Sequence, residues 1–383
     1  MRQFLSGSLK LMKISRKLII IAFATSIFLA VMPDLKAQGG GTAVPFLRIS
    51  PDARASGMGE VGTAIADDIN AIYWNPGGLG FLQYYELPTT AGSDEEPPPY
   101  FQSSIAYSPW LPQFNADLYY SYINVGRYFE ELDGTVACNF IFMHLGEFIR
   151  TAVDGRQLGK FISNEFALGI SYGAIVATDF GVGFQLKYIR SNLAPAAQGQ
   201  TTAGTGQSGS FDLGLLWKPK QLDVFGVECG DIFSVGLNLQ NVGPKMTYRS
   251  MSDPLPTTLR LGLAFKIFED EFNDLKIAGD MSKLLIKRNI DGSSDALPKS
   301  LVSGWENPGA EFAFGLEYWY EKVVAGRFGY FTEPDALGGR KYYNFGAGVR
   351  YSIFRLDFSF INTIETNHPL ANTMRFSMLV DFQ

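Results

Sequence analysis

The chain has 383 residues, a formal net charge of −6 and an aromatic content of 14%. A nucleic-acid-binding protein would instead carry a basic surface. Two cysteines are too few for a disulfide scaffold, and the two histidines belong to no Cys/His metal pattern, so the sequence predicts neither a metal nor another cofactor.

Residues 1–37 have the pattern of a secretory signal peptide. Basic residues precede an apolar run over residues 18–32, and Leu35, Lys36 and Ala37 offer a small-residue cleavage site before Gln38. The run is shorter than the roughly 20 residues that a spanning helix needs. Its removal leaves 26 basic and 37 acidic residues, a net charge of −11. The mature chain is expected to begin near Gln38; an uncleaved anchor is the alternative.

Residues 38–99 do not alternate like strands and are predicted to form a hatch followed by a linker. Residues 57–80 are rich in small side chains and end in a turn cluster, and residues 94–99 are acidic and Pro-rich. The segment is either a periplasmic appendage or a plug in a barrel lumen. The plug is favoured, because glycines on the inward faces of the predicted strands leave space inside. The hatch residues of interest are Asp67, Asp68, Trp74, Asn75, Pro76, Gly77 and Gly78.

Residues 100–383 alternate between apolar and polar side chains, mostly in runs near ten residues. In a strand this period sends the two sets to opposite faces. Strands of that length, apolar outside and polar inside, predict an all-β, antiparallel transmembrane barrel of the outer membrane. Fourteen strands are predicted, centred near residues 104, 121, 139, 168, 185, 213, 237, 263, 279, 315, 327, 347, 358 and 378.

The predicted inward faces of these runs also carry charged residues of both signs. We expect them to pair with each other and with the plug, because a charge on the lipid face is costly; a substrate path through the lumen is the alternative. For Asp67 and Asp68, cation binding and hydrogen bonding to the hatch backbone are both open, and the second is favoured. The inward charged set is Glu165, Lys187, Asp212, Arg260, Lys266, Lys276, Asp280, Glu311, Glu317, Arg327, Arg350, Arg355, Asp357, Arg375 and Asp381.

Connection lengths predict the orientation of the barrel. Residues 145–160, 191–210, 242–256 and 287–308 are predicted as long loops, and they alternate with short turns. Long loops are extracellular in such barrels, which puts both termini in the periplasm. Two connections break the pattern, the long one at 219–231 and the brief one at 108–113. The candidate partner-contact residues in the long loops are Asn192, Gln198, Thr205, Leu297, Leu301 and Trp305; a loop folded over its own barrel mouth is the alternative for the last three.

One motif resembles an enzyme site. Residues 169–173, GISYG, match the nucleophile-elbow pattern, but that motif needs a strand-to-helix turn and here it lies within an alternating strand. Ser171, His144 and His368 are the only material for an acyl-transfer site, and the sequence is not expected to be an enzyme. Cys138 and Cys229 are expected to be separate thiols, with a disulfide as the alternative.

Several motifs resemble the PorV/PorQ family of outer-membrane proteins of type IX secretion. At the N terminus these are residues 45–54 (PFLRISPDAR), 57–60 (GMGE), 64–68 (AIADD) and 71–79 (AIYWNPGGL). Towards the C terminus they are residues 280–285 (DMSKLL), 317–320 (EYWY), 327–331 (RFGYF), 338–343 (GGRKYY) and 368–373 (HPLANT). The turn at Asn75 and Pro76 also resembles the hatch of FadL-like transporters. Gly77, where those hatches usually carry Ala, and the final Gln383 depart from the patterns.

The resemblance implies a FadL-like barrel with an N-terminal hatch that serves protein secretion. Such a barrel binds the C-terminal secretion domain of cargo leaving a SprA/Sov-type translocon. It then delivers the cargo to an attachment complex that contains the PorU sortase. Two alternatives stay open: a FadL-like transporter of fatty acids or other hydrophobic ligands, and a role in lipopolysaccharide deacylation.

Overall fold

The computed structural model describes residues 41–83, 100–114, 116–152, 154–194, 204–224, 227–228, 230–249, 251–289, 291–306 and 309–382. The predicted signal peptide, most of the predicted linker, Gln198 and Cys229 lie outside these ranges. No helix within them is long and apolar enough to cross a membrane.

Fourteen antiparallel strands form a closed barrel, in which neighbours in sequence pair and the last strand pairs with the first. Each predicted strand centre lies within one of them, so the predicted fold is confirmed. The strands are β1 (Phe101–Pro109), β2 (Tyr119–Phe129), β3 (Gly134–Thr151), β4 (Gln157–Ala177), β5 (Phe180–Ala194), β6 (Gly204–Trp217), β7 (Phe233–Val242), β8 (Thr258–Glu269), β9 (Asn273–Leu284), β10 (Glu311–Tyr320), β11 (Val324–Thr332), β12 (Lys341–Tyr351), β13 (Phe354–Thr363) and β14 (Met374–Asp381).

The two faces of the wall differ as the alternation predicts. Leu186 on β5 and Leu356 on β13 are 53% and 55% exposed on the outer surface. Their neighbours Gln185 and Asp357 are buried on the inner side. Cys138 is exposed on the outer face of β3 and forms no disulfide within the described part of the chain. Apolar side chains therefore face the lipid, and polar side chains line the interior.

A lysine on the outer surface should reveal the depth of the membrane. Leu186→Lys puts a charge midway along β5 and is expected to destabilise the barrel by about 2–4 kcal/mol. Tyr351→Lys lies beside the turn after β12, where residue 351 is 81% exposed, and is expected to cost about 0–1 kcal/mol. Urea unfolding of both variants in lipid vesicles measures the difference. Equal costs at the two positions would contradict the assigned lipid face.

The connections form two edges of the barrel. One edge, which we call the turn edge, carries short connections such as residues 178–179, 270–272 and 352–353. It also carries residues 218–232, where a two-stranded sheet (Asp223–Val224 with Val227–Glu228) accounts for the extra length. The opposite edge, the loop edge, carries longer connections, including residues 243–257 and 285–310.

Two segments predicted as long loops are largely strand. β3 and β4 remain paired out to Thr151 and Gln157 beyond a bulge that follows His144, which leaves a connection of only residues 152–156. Likewise Asn192 of β5 pairs with Thr205 of β6, so these two predicted loop residues are strand residues. Backbone pairing continues beyond the lipid-facing part of the wall, where the apolar/polar alternation no longer marks it. The predicted brief turn at 108–113 is also corrected, since residues 110–118 join β1 to β2.

The inner segment, residues 41–83, folds against the inner wall as short helical pieces. These are Pro45–Arg48 and Pro76–Phe81, both 3₁₀ helices, and the α-helices α1 (Ala53–Gly57) and α2 (Ala71–Trp74). Asp52 caps α1 by accepting a hydrogen bond from Ala55 N at 2.8 Å. Ile69, Ile72 and Leu79 are fully buried against wall residues, which makes this segment the centre of the apolar core.

Candidate functional site at the inner segment and the loop edge

The inner segment approaches the wall most closely where the wall carries glycine. A methyl group on Gly183 of β5 would overlap the Pro76 carbonyl, and one on Gly214 of β6 would overlap the Asn75 side chain. Similar overlaps would arise at Gly236 and Gly315, opposite Thr63 and Met58. Several of the inward glycines thus form a surface that the inner segment occupies.

Hydrogen bonds fix the turn at Asn75 against two parts of the chain. Asn75 Nδ2 donates to the carbonyls of Thr63, at 2.8 Å, and of Leu215 on β6, at 2.9 Å. Its Oδ1 accepts from Gly77 N at 3.1 Å. The adjacent Trp74 donates through Nε1 to Asp52 at 2.7 Å. A single asparagine therefore ties the turn both to its own segment and to the barrel wall.

Buried ion pairs join the inner segment to the wall on the side of β9–β13. Arg54 donates to Glu317 of β10 at 2.7 and 2.9 Å and also pairs with both Asp67 and Asp68. Lys276 of β9 pairs with Asp67. The aspartate pair thus meets cationic side chains, while only Asp68 also accepts from backbone, at Asn70 N. Hydrogen bonding to the hatch backbone, which the sequence favoured for Asp67 and Asp68, is therefore a minor part of the environment of these two carboxylates.

The network continues around the wall through arginine. Arg327 of β11 pairs with Glu317 at 2.7 Å and with Asp357 at 2.8 Å, and all three side chains are almost fully buried. Arg355 of β13 joins Asp357 to Asp68. Each buried charge in this set has a partner of opposite sign, which is the condition for burying charge at tolerable cost.

The ion pairs act on the titration of the inner segment. Burial opposes ionisation of Asp67, but Arg54 and Lys276 outweigh it and hold the pKa of Asp67 well below its ordinary value. Because the folded-state pKa is depressed, the stabilisation is present at neutral pH and is lost as the pH falls through that lowered pKa. The contribution of Asp67 to the contact between the inner segment and the wall is therefore present at neutral pH.

The three residues considered for acyl transfer lie in different environments. Ser171 is buried on the inward face of β4, where its hydroxyl has no hydrogen-bond partner among the described residues. The His144 ring stacks on Tyr119, with centroids 4.9 Å apart. His368, in the connection before β14, accepts from Leu370 N. In the described ranges no hydrogen bond joins any two of the three, so this geometry forms no nucleophile–base pair.

The loop edge exposes apolar side chains at several places, among them residues 285–310 and the hairpin of residues 147–162. In residues 285–310, α3 (Lys299–Ser303) leads into a 3₁₀ turn, with Val302 76% exposed and Trp305 54% exposed. Of the predicted contact residues here, Leu297 and Leu301 are half-buried. The second of these places is the protruding hairpin of residues 147–162, where the rings of Phe148 and Phe161 stack with centroids 5.7 Å apart. Sequence reasoning missed this hairpin, since it read the segment as a loop.

Comparison with known proteins identifies both a family and a fold. A family model described as "Type IX secretion system protein PorV" matches residues 35–291, more than half of the chain. No curated protein sequence matches this chain. Among solved structures, the Pseudomonas putida toluene transporter TodX has a TM-score of 0.50 at 11% identity, over 91% of this chain and 99% of its own.

Two further solved structures are similar at 11% identity. The Ralstonia pickettii toluene transporter TbuX has a TM-score of 0.49, over 87% of this chain and 98% of its own. A Pseudomonas aeruginosa FadL homologue has a TM-score of 0.45, over 90% of this chain and all of its own. At 11% identity, the similarity to TodX concerns the barrel fold alone and says nothing about the ligand.

Proposed function

This chain belongs to the PorV family of type IX secretion system proteins of the outer membrane, and from that premise we propose that it binds cargo at its loop edge. The bound part is the C-terminal secretion domain of a protein leaving a SprA/Sov-type translocon. The barrel then passes the cargo to the attachment complex that contains the PorU sortase. It acts as a binding and shuttle component with no catalytic step of its own.

The observation that carries this proposal is the combination of an occupied lumen with exposed apolar side chains in the long connections of the loop edge. The inner segment contacts wall glycines and pairs with wall charges, which suits a closed barrel better than a conducting one. Exposed aromatic and aliphatic side chains such as Val302, Trp305 and Phe148 suit capture of a protein partner. We assign the loop edge to the cell exterior and the turn edge to the periplasm, because long connections of such barrels are extracellular.

Deleting the gene tests this role directly. In the deletion strain, cargo is expected to accumulate in the periplasm with its C-terminal domain still attached, and a plasmid copy should restore secretion. Fractionation followed by immunoblotting of a known secreted substrate measures both forms. Normal secretion in the deletion strain would refute the proposed function.

Truncating the exposed side chains of α3 and its following turn should weaken cargo capture. The double variant Val302→Ser, Trp305→Ser removes an aromatic anchor and is expected to lose about tenfold or more in affinity for a purified cargo C-terminal domain. Tyr351→Ser, at the turn edge, is the matched exposed control and should bind like the wild type. Surface plasmon resonance on barrels in detergent gives both values. Docking at the loop edge would be contradicted if the Val302→Ser, Trp305→Ser variant and a second double variant, Phe148→Ser, Phe161→Ser, both bound the domain like the wild type.

Transport of fatty acids or other hydrophobic ligands is the second candidate. A largely apolar cavity of about 330 Å³ at the loop-edge mouth favours it. It also requires a path past the inner segment, whose turn at Asn75 is fixed to the wall on β6. Growth on long-chain fatty acids separates the two functions. The deletion strain should grow poorly on them if the barrel transports fatty acids, and normally if it serves secretion alone.

A further inference from the structure

A cavity lies at the mouth of the barrel, above the inner segment. Its volume is about 330 Å³, within the range of sites that hold small ligands or side chains. The inner segment contributes Phe46 and Ile49 to its floor, and the loop-edge ends of the strands contribute Met143 and Leu145. Trp110 in the connection after β1 completes an apolar lining. This loop-edge cavity is distinct from the ion-pair network around Glu317, which lies towards the turn edge.

The cationic groups around the cavity are already paired. Arg48 pairs with Glu311, which also receives Arg340. Arg340 pairs in addition with Glu333 at 2.7 Å, and Arg375 pairs with Glu60 at 3.0 Å. Each of the three arginines in the described lining of the cavity therefore has a carboxylate partner. An anionic ligand would therefore have to displace a carboxylate from each arginine that it approached.

Glu165 is the one acidic side chain of the cavity lining that has no ion pair among the described residues. It stands on the inward face of β4 and is only 4% exposed. Its Oε1 accepts a hydrogen bond from the Ser191 hydroxyl at 2.6 Å. Residues 195–203, which follow β5 in the sequence, contain no Lys, Arg or His. A buried carboxylate with a hydroxyl partner alone retains capacity for a cationic donor.

We propose that the loop-edge cavity takes an apolar chain segment that carries one basic group, with Glu165 accepting the cation. The inference rests on the proposed function, because the cargo domain is the partner that would supply such a segment. The position of the cavity supports the cargo domain as the source of this segment. Met143, Leu145 and Glu165 lie at the base of the protruding hairpin, so a segment entering the cavity passes beside Phe148 and Phe161. The cargo is then held by the exposed edge and anchored by one inserted group.

Two small probes of equal chain length test the chemistry. Hexylammonium and hexanoate are titrated into the purified full-length barrel at neutral pH, and the fluorescence of Trp110 reports occupancy. A Trp110→Phe barrel identifies that signal. The wild type is expected to bind hexylammonium about tenfold or more tighter than hexanoate, as one charge-assisted hydrogen bond allows. Glu165→Gln keeps the shape and the Ser191 contact and should abolish the preference, whereas Ser171→Ala, on the same strand outside the cavity lining, should retain it.

The outcomes separate this inference from the proposed function. A wild-type preference for hexanoate, or an unchanged preference in Glu165→Gln, overturns the inference and leaves secretion to be judged by the deletion strain. In that strain, a Glu165→Gln copy is expected to restore cargo release more slowly than the wild-type copy. The inference is also overturned if the Glu165→Gln copy restores cargo release fully and the Glu165→Gln barrel binds both probes as the wild type does.

Discussion

Replacing Gly183 and Gly214 with leucine is expected to displace the inner segment and open the barrel to solutes. Each new side chain would occupy space held by the Asn75–Gly77 turn, whose backbone lies against β5 and β6. Overpacking of this kind costs roughly 1–3 kcal/mol at each position, and the rigid strand cannot move away without breaking its own ladder. The inner segment is the part that can yield, because its short helical pieces take no part in the strand ladder of the barrel.

Conductance in planar bilayers measures the opening. The double leucine variant should show frequent large openings where the wild type shows few, and cells that carry it should become sensitive to a large hydrophilic antibiotic. Gly326→Leu is the control, since a side chain on this glycine meets nothing within 4 Å. Heat-shift electrophoresis confirms that all three barrels are folded. A folded double variant that stays closed would show that the inner segment does not occlude the lumen.

Neutralising Glu317 is expected to produce the second large effect. Glu317→Gln removes the negative charge that Arg54 and Arg327 share and leaves the two buried guanidinium groups with only their aspartate partners. Breaking one partner of a buried ion pair costs about 3–5 kcal/mol, which is far more than the pair itself contributes over an apolar replacement. The destabilisation should therefore appear both in the wall and in the attachment of the inner segment.

Chemical unfolding in lipid vesicles gives the cost to the wall, and limited proteolysis of the inner segment gives the cost to its attachment. Glu269→Gln is the matched control, because Glu269 pairs with Lys266 at the exposed turn edge and should change stability by about 0–1 kcal/mol. Equal effects of the two variants would mean that the buried network does not fasten the inner segment.

The wall could be predicted from the sequence because lipid imposes a strict rule on it. Each outward residue must be apolar, and alternate positions are free to be polar, so β5 and β13 show their faces in the chain itself. The same rule predicted that charges such as Glu317 and Arg327 point inward. It holds only where lipid is in contact with the wall.

Beyond that zone the sequence was less informative. The hairpin of residues 147–162 has backbone pairing without a lipid face, so its alternation is weak and it resembled a loop. The partners of Arg54 and Asp67 were hidden for another reason. Their contacts with β9 and β10 span more than 200 residues of sequence and follow from barrel closure. The loop-edge cavity had no sequence signal, since its lining comes from several separate strands and connections.

The proposed role combines an occupied lumen with an adhesive outer edge. The inner segment contacts the wall through glycine positions and ion pairs, and in the proposed role it keeps the barrel closed. In that role the loop edge would contact a protein partner through Val302, Trp305 and the Phe148–Phe161 pair. A shuttle needs both properties, because cargo must be held at the surface while the membrane stays sealed.

Affinity isolation in mild detergent tests the central claim most directly. A tagged copy is purified from cells that are secreting cargo, and the proteins and lipids that accompany it are identified by mass spectrometry. We predict that a very large translocon barrel and cargo with an intact C-terminal domain co-purify, and that cargo is lost from the Val302→Ser, Trp305→Ser copy. Recovery of lipid or fatty acid alone, with no cargo on the wild-type copy, would contradict the account.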